Sequence, residues 1–154
     1  AFQTVEGVVP DIFTLAKGIA NGVPCAACVA RGDAATALKP GMQGSTFGGG
    51  LIAMAAAKAT LGRLAELGLD AHAEELGSYL RERLAEVPYV SEVRGKGLMV
   101  GATIEGKDAH DVVGALLDEG IVANACNGEV LRFLPPLIIE REHVDALIEA
   151  LRTL

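Results

Sequence analysis

Two hydrophobic periods divide this chain. From residue 51 to 87, and again near the C-terminus, apolar residues recur every three or four positions, as on one face of a helix; between them they fall in short alternating runs, as in strands. Taken in order, Pro10-Asp11 reads as a turn into a short buried strand, Ile12 to Leu15, that ends at Lys17. Gly18, Asn21 and Gly22 permit a tight turn, and Val23 to Ala30 reads as a second buried strand. Asp33 is placed to cap a short helix over Ala34 to Leu38 that stops before Pro40. Lys39 to Gly50 is a glycine-rich loop. Ile52 to Leu67, rich in alanine and leucine, predicts a long buried helix stopped by Gly68. Asp70 opens the next helix, Ala71 to Val87, with its charges on one side and Pro88 at its end. Beyond it the pattern predicts strands at Val90 to Arg94, Leu98 to Ile104, Ile121 to Ala125 and Val130 to Leu134. A helix over Asp108 to Glu119 lies among them. A last helix, Glu142 to Leu154, carries a packing stripe of Val144, Leu147, Ile148 and Leu151. The expectation is an α/β protein whose layers meet near Gly68, with residues 1–68 and 69–154 as its two parts.

Composition narrows the function. A chain of 154 residues that is 51% apolar and only 4% aromatic can bury one good core. Its net charge of −7 and its lack of any Lys/Arg block speak against nucleic acid or anionic lipid as partners. No apolar run is long enough to cross a bilayer and no signal peptide is visible, so a cytoplasmic protein is expected. Cys25 and Cys28 form a Cys-x-x-Cys, but without a second pair they read as small buried thiols rather than a metal or disulfide site. His72, His110 and His143 lack ligand spacing, and no metal is expected.

Three places can carry chemistry. Lys17 stands among apolar and small residues just before a turn, at the strand end where α/β folds keep ligands. An ammonium short of polar neighbours loses hydration and yields an amine able to attack a carbonyl. A surface lysine whose stem lies along apolar neighbours is the commoner explanation of the same local pattern. In the glycine-rich loop, the hydroxyls of Ser45 and Thr46 and the amides around them could converge on a phosphate, although Gly-Ser-Thr is common in ordinary loops. Arg132, between Leu131 and Phe133, faces away from both. By pattern alone a solvated strand arginine and a functional one are equally open.

Four blocks in order decide among these alternatives: Val9-Pro10-Asp11-Ile12-Phe13-Thr14-Leu15-Ala16-Lys17-Gly18, Gly44-Ser45-Thr46-Phe47-Gly48-Gly49, Val93-Arg94-Gly95-Lys96-Gly97-Leu98-Met99-Val100-Gly101, and Val130-Leu131-Arg132-Phe133-Leu134-Pro135-Pro136-Leu137-Ile138-Ile139. Together they resemble the class III aminotransferases of pyridoxal-phosphate fold type I, most of all the acetylornithine branch. The resemblance implies that Lys17 binds pyridoxal 5′-phosphate covalently and moves a proton during turnover. It also implies that Ser45 and Thr46 hold the cofactor phosphate across a homodimer interface, and that Arg132 binds the substrate carboxylate. The implied reaction moves the terminal amino group of N-acetylornithine to 2-oxoglutarate. Ornithine, succinylornithine and 4-aminobutyrate aminotransferases, and a mutase acting on glutamate semialdehyde, share the lysine block. Gln43 stands where many members have histidine, and Gly50-Leu51 replaces their Asn-Pro. Arg94-Gly95 and Gly97 read as a structural strand turn, and Asn124 matches a family position to which no role is assigned.

The resemblance starts midway along the family's length, so the chain is expected to be a C-terminal fragment. The family's earlier segment supplies the acid beside the pyridine nitrogen, the ring-stacking aromatic and a first phosphate loop. By itself this polypeptide is therefore expected not to transaminate, or to serve only as a dimerisation module.

Overall fold

A computed structural model describes Gly7 and residues 9–154. The chain divides into two compact units, Ala1–Leu67 and Gly68–Leu154.

In the first unit, β1 (Ile12–Leu15) pairs antiparallel with β2 (Ala27–Ala30), with Ile12 opposite Ala30 and Leu15 opposite Ala27. A 3-10 turn, Lys17–Ala20, follows β1, and another, Gly32–Thr36, follows β2. The 16-residue helix α1 (Leu51–Glu66) packs against the first of these turns. Both strands expected here form, but neither is buried, and the second starts at Ala27 rather than Val23. A two-stranded ribbon has no second layer to cover either face. Cys25 consequently lies outside the strand and is half-buried, while Cys28 is exposed, so these two are not the buried thiols anticipated. Asp33 caps nothing: Arg31 takes the cap position of a 3-10 turn, and the Asp33 carbonyl accepts a bond from the Thr36 hydroxyl at 3.0 Å. Helix α1 runs where expected yet buries only Ala57, because a two-stranded ribbon and two 3-10 turns provide no layer broad enough to cover it.

The second unit is a four-stranded antiparallel sheet, order β3-β4-β6-β5, from β3 (Val90–Lys96), β4 (Met99–Ile104), β5 (Asn124–Asn127) and β6 (Val130–Phe133). Helices α2 (Leu69–Ala85), α3 (Ala109–Asp118) and α4 (Arg141–Thr153) complete it. Alternation sends Val100, Ala102 and Ile104 of β4 and Leu131 and Phe133 of β6 into the core. There they meet Leu76, Leu80 and Leu84 of α2, Val112 and Leu116 of α3, and the α4 stripe Val144, Leu147, Ile148 and Leu151. The first strands are joined tightly, Lys96 pairing with Met99 across Gly97 and Leu98. Gly97 has φ +51, and a side chain at Gly95 would run into the backbone of Met99, which is why this turn takes glycine at both positions.

Candidate active-site elements

After β1 the chain turns abruptly. Ala16 is extended (φ −155, ψ −157), and Lys17 then enters the left-handed region at φ +54. Among the described residues only Lys17 and Asn21 do so without being glycine. Asparagine tolerates that conformation through local bonding of its short side chain, whereas a lysine in it carries about 1–3 kcal/mol of strain. The turn is held by Ile19 N–H donating to the Ala16 carbonyl (3.3 Å), Asn21 N–H to Gly18 (3.1 Å) and Val23 N–H to Ala20 (3.2 Å). Ala20, 1% exposed, roots it. The Lys17 side chain itself is exposed, so the apolar shell anticipated around it is not supplied by this unit. The feature that marks Lys17 is its backbone.

The glycine-rich loop is built on a local bond. Gly48 N–H donates to Ser45 Oγ at 3.0 Å, and a Cβ at Gly48 would sit 2.9 Å from the Ser45 Cβ, so only glycine allows the approach. Gly49 follows at φ +74, and Gly50 N–H closes onto the Phe47 carbonyl at 3.1 Å. Gly50 is then the N-cap of α1 and has no side chain to offer its amides. Among the described residues the first-turn N–H groups of Leu51, Ile52 and Ala53 have no partner, at the positive end of the helix dipole. Ser45 Oγ, already accepting one bond, keeps its proton to donate. Thr46 is exposed, without a hydrogen-bond partner among the described residues. Among the described residues Gln43 reaches only the adjacent Gly44 carbonyl, at 3.5 Å.

In the second unit, Arg132 and Asn124 help to line a cleft of about 710 Å³ with Ile121, Val122, Leu134 and Pro135. The turn beyond β6 is pinned twice. Ile139 N–H donates to the Pro136 carbonyl at 3.1 Å, and His72 Nε2 lies 2.8 Å from the Ile139 carbonyl. At the start of α4, Glu140 N–H donates to His143 Nδ1 at 3.2 Å. Sequence reasoning missed the His72 anchor, because it joins residues 67 apart and no local pattern announces it.

Seven of the eight arginines form an ion pair with a carboxylate: Arg31, Arg63, Arg81, Arg83, Arg94, Arg141 and Arg152. Arg132 is the exception among the described residues. In a chain with 20 acids, an exposed guanidinium without an acid partner is available to an anion from outside.

Lys17, Ser45 and Thr46 thus lie in the first unit and Arg132 in the second. Among the described residues no group of three or more His, Cys, Asp or Glu is arranged to hold a metal, and no helix is long and apolar enough to cross a membrane.

Residues 1–154 match the profile of the family described as Aminotransferase class-III. Over 149 residues the chain is 46% identical to the acetylornithine aminotransferase of Methanocaldococcus jannaschii, covering 94% of this chain and 37% of that protein. The crystal structure of acetylornithine aminotransferase from Elizabethkingia anophelis superposes with a TM-score of 0.89 at 31% identity, covering 97% of this chain and 42% of that one. An ornithine aminotransferase from Toxoplasma gondii, with partial occupancy of PLP at its active site, gives a TM-score of 0.83 at 36% identity over 94% of this chain and 37% of that one. The chain therefore spans 37% of the length of the Methanocaldococcus relative. With a profile match along its whole length and the α/β fold of fold type I, the chain belongs to the class III aminotransferase family, whose cofactor is pyridoxal phosphate.

Proposed function

We propose that this chain is the C-terminal part of a pyridoxal-phosphate-dependent aminotransferase that moves the terminal amino group of N-acetylornithine to 2-oxoglutarate, acting as a homodimer in the cytoplasm. The observation that carries the reading is the left-handed backbone of Lys17, a strained lysine at the position that matches the family's cofactor lysine. The 46% identity to an acetylornithine aminotransferase supports the choice of substrate.

The residues present suit the cofactor. An amine at Lys17, hydroxyls at Ser45 and Thr46 and open amides at the start of α1 are the donors that an aldehyde-bearing phosphate ester requires. When bound, pyridoxal phosphate supplies the electron sink on which amino groups are exchanged. Lys17 Nζ would hold its aldehyde carbon and would carry the proton to and from the substrate carbon that bears the amino group. Ser45 and Thr46 donate to the phosphate of the partner subunit's site, so the homodimer completes the site. Arg132 fixes the substrate by a two-pronged bond to its carboxylate.

Borohydride reduction of the full-length holoenzyme followed by peptide mapping tests the assignment. The pyridoxyl mass is expected on Lys17, and Lys17→Ala should hold no covalent cofactor and lose nearly all turnover. A label on Lys39, Lys58, Lys96 or Lys107, or normal turnover by Lys17→Ala, would overturn it. A second reading, an ornithine aminotransferase, draws on the likeness to the Toxoplasma enzyme. The ratio of kcat/KM for N-acetylornithine over ornithine separates the two.

A further inference from the structure

Asn124 of β5 lies directly opposite Arg132 of β6 in the antiparallel register. Directly paired residues leave a sheet on the same face, with Cβ atoms roughly 4.5–5.5 Å apart. That face is the outer one, because β6 turns Leu131 and Phe133 inward at 0% and 6% exposure. Both polar side chains are exposed, and both belong to the wall of the same cleft. Among the described residues neither has a hydrogen-bond or ion-pair partner. Apart from His143 the rest of that wall is apolar, Ile121, Val122, Leu134 and Pro135 included. A guanidinium and a carboxamide side by side present N–H donors to the two oxygens of one carboxylate.

We propose that Asn124 is a specificity-determining residue that binds, through its side-chain amide, the same substrate carboxylate that Arg132 grips. This rests on the carboxylate role of Arg132 above and extends it. The guanidinium alone accepts any anion of suitable size. The second donor, fixed by strand register, favours a planar carboxylate held edge-on and disfavours amines that lack one. A neutral donor also leaves the charge balance to Arg132, so the pair takes a singly charged group without excess attraction for a phosphate.

The test uses full-length enzyme loaded with cofactor and two probes, N-acetylornithine as donor and its decarboxylated counterpart N-acetyl-1,4-diaminobutane as competitive inhibitor. Asn124→Ala should lower kcat/KM for N-acetylornithine about ten-fold, mainly through KM, the loss expected for one hydrogen bond to a charged group. Asn124→Asp should cost more, about a hundred-fold, because the new carboxylate repels the substrate's and occupies Arg132. Neither variant should move the inhibition constant of the decarboxylated amine by more than about two-fold, a selectivity that a merely structural asparagine would not produce. Equal losses for both probes, or an unchanged Asn124→Ala beside an impaired Arg132→Lys, would overturn the role of Asn124 and leave that of Arg132 standing. An unchanged Arg132→Lys would remove the carboxylate site itself, and this inference with it.

Discussion

Asp108 carries a pH dependence that can be read from one side chain. Its carboxylate accepts the His110 N–H at 2.7 Å as the N-cap of α3 and lies 3.1 Å from His110 Nδ1. The backbone bond first, and the ring contact second, hold its pKa below the ordinary carboxylate value. A group whose folded pKa is lowered contributes stability above its unfolded pKa and loses it as pH falls through the folded one. Asp108→Ala should therefore lower Tm at pH 7, and the gap from wild type should close as pH drops below about 4. Thermal melts across that range check it, and a gap that stayed constant would assign the loss to something other than the charge. The chemistry of single residues was legible to different depths. Lys17, Ser45, Thr46 and Arg132 all stand out in sequence through their motifs. The left-handed φ of Lys17 and the missing acid beside Arg132 do not, since one is a backbone angle and the other a property of residues distant along the chain.

At the scale of elements, the clearest constraint is where α2 crosses the β3–β4 turn. In an exposed helix, replacing glycine by alanine gains about 0.8–1 kcal/mol of propensity. At Gly77 the added Cβ would overlap the Gly97 carbonyl, a backbone group with little freedom to move. Overpacking of that kind costs about 1–3 kcal/mol, so the sign reverses. Gly77→Ala should destabilise the protein in denaturant melts, whereas Gly114→Ala in α3, where a Cβ meets nothing within 4 Å, should stabilise it by about 0.5–1 kcal/mol. Two alanine variants of the same sign would show that helix propensity, and not the crossing, governs Gly77. Periodicity located this crossing's helix and the α4 stripe well, because each of their apolar faces is covered within its own unit. It placed β5 three residues early. Gly120 enters the left-handed region at φ +78, and Ile121 N–H bonds back to the Leu116 carbonyl at 2.8 Å, so Ile121 belongs to the end of α3 and the strand begins at Asn124. Capping of this sort overrides an apolar run that reads as strand.

On the scale of the whole molecule, burial is divided very unevenly. Of the 19 buried apolar residues among those described, 17 form the core of the second unit, and only Ala20 and Ala57 belong to the first. Helix α1 shows why alanine and leucine in sequence do not by themselves report burial. Its Leu51 and Ile52 are 87% and 79% exposed, although its composition is that of a helix meant to be covered. Hydrogen exchange tracks local opening, which is cheapest where few apolar contacts must be broken. In the 154-residue chain studied alone, the slowest amides should lie in β4, β6, α2 and α4, while β1, β2 and α1 exchange quickly. In the full-length enzyme proposed above, α1 and the turn at Lys17 should become protected as well, since the strained lysine backbone persists only where surrounding structure over-determines it. Exchange read peptide by peptide in both forms decides the matter. Equal protection of both units in the short chain would mean that the first unit is stabilised by something other than apolar burial, and unchanged fast exchange at Lys17 in the full-length enzyme would count against its place in a preorganised site.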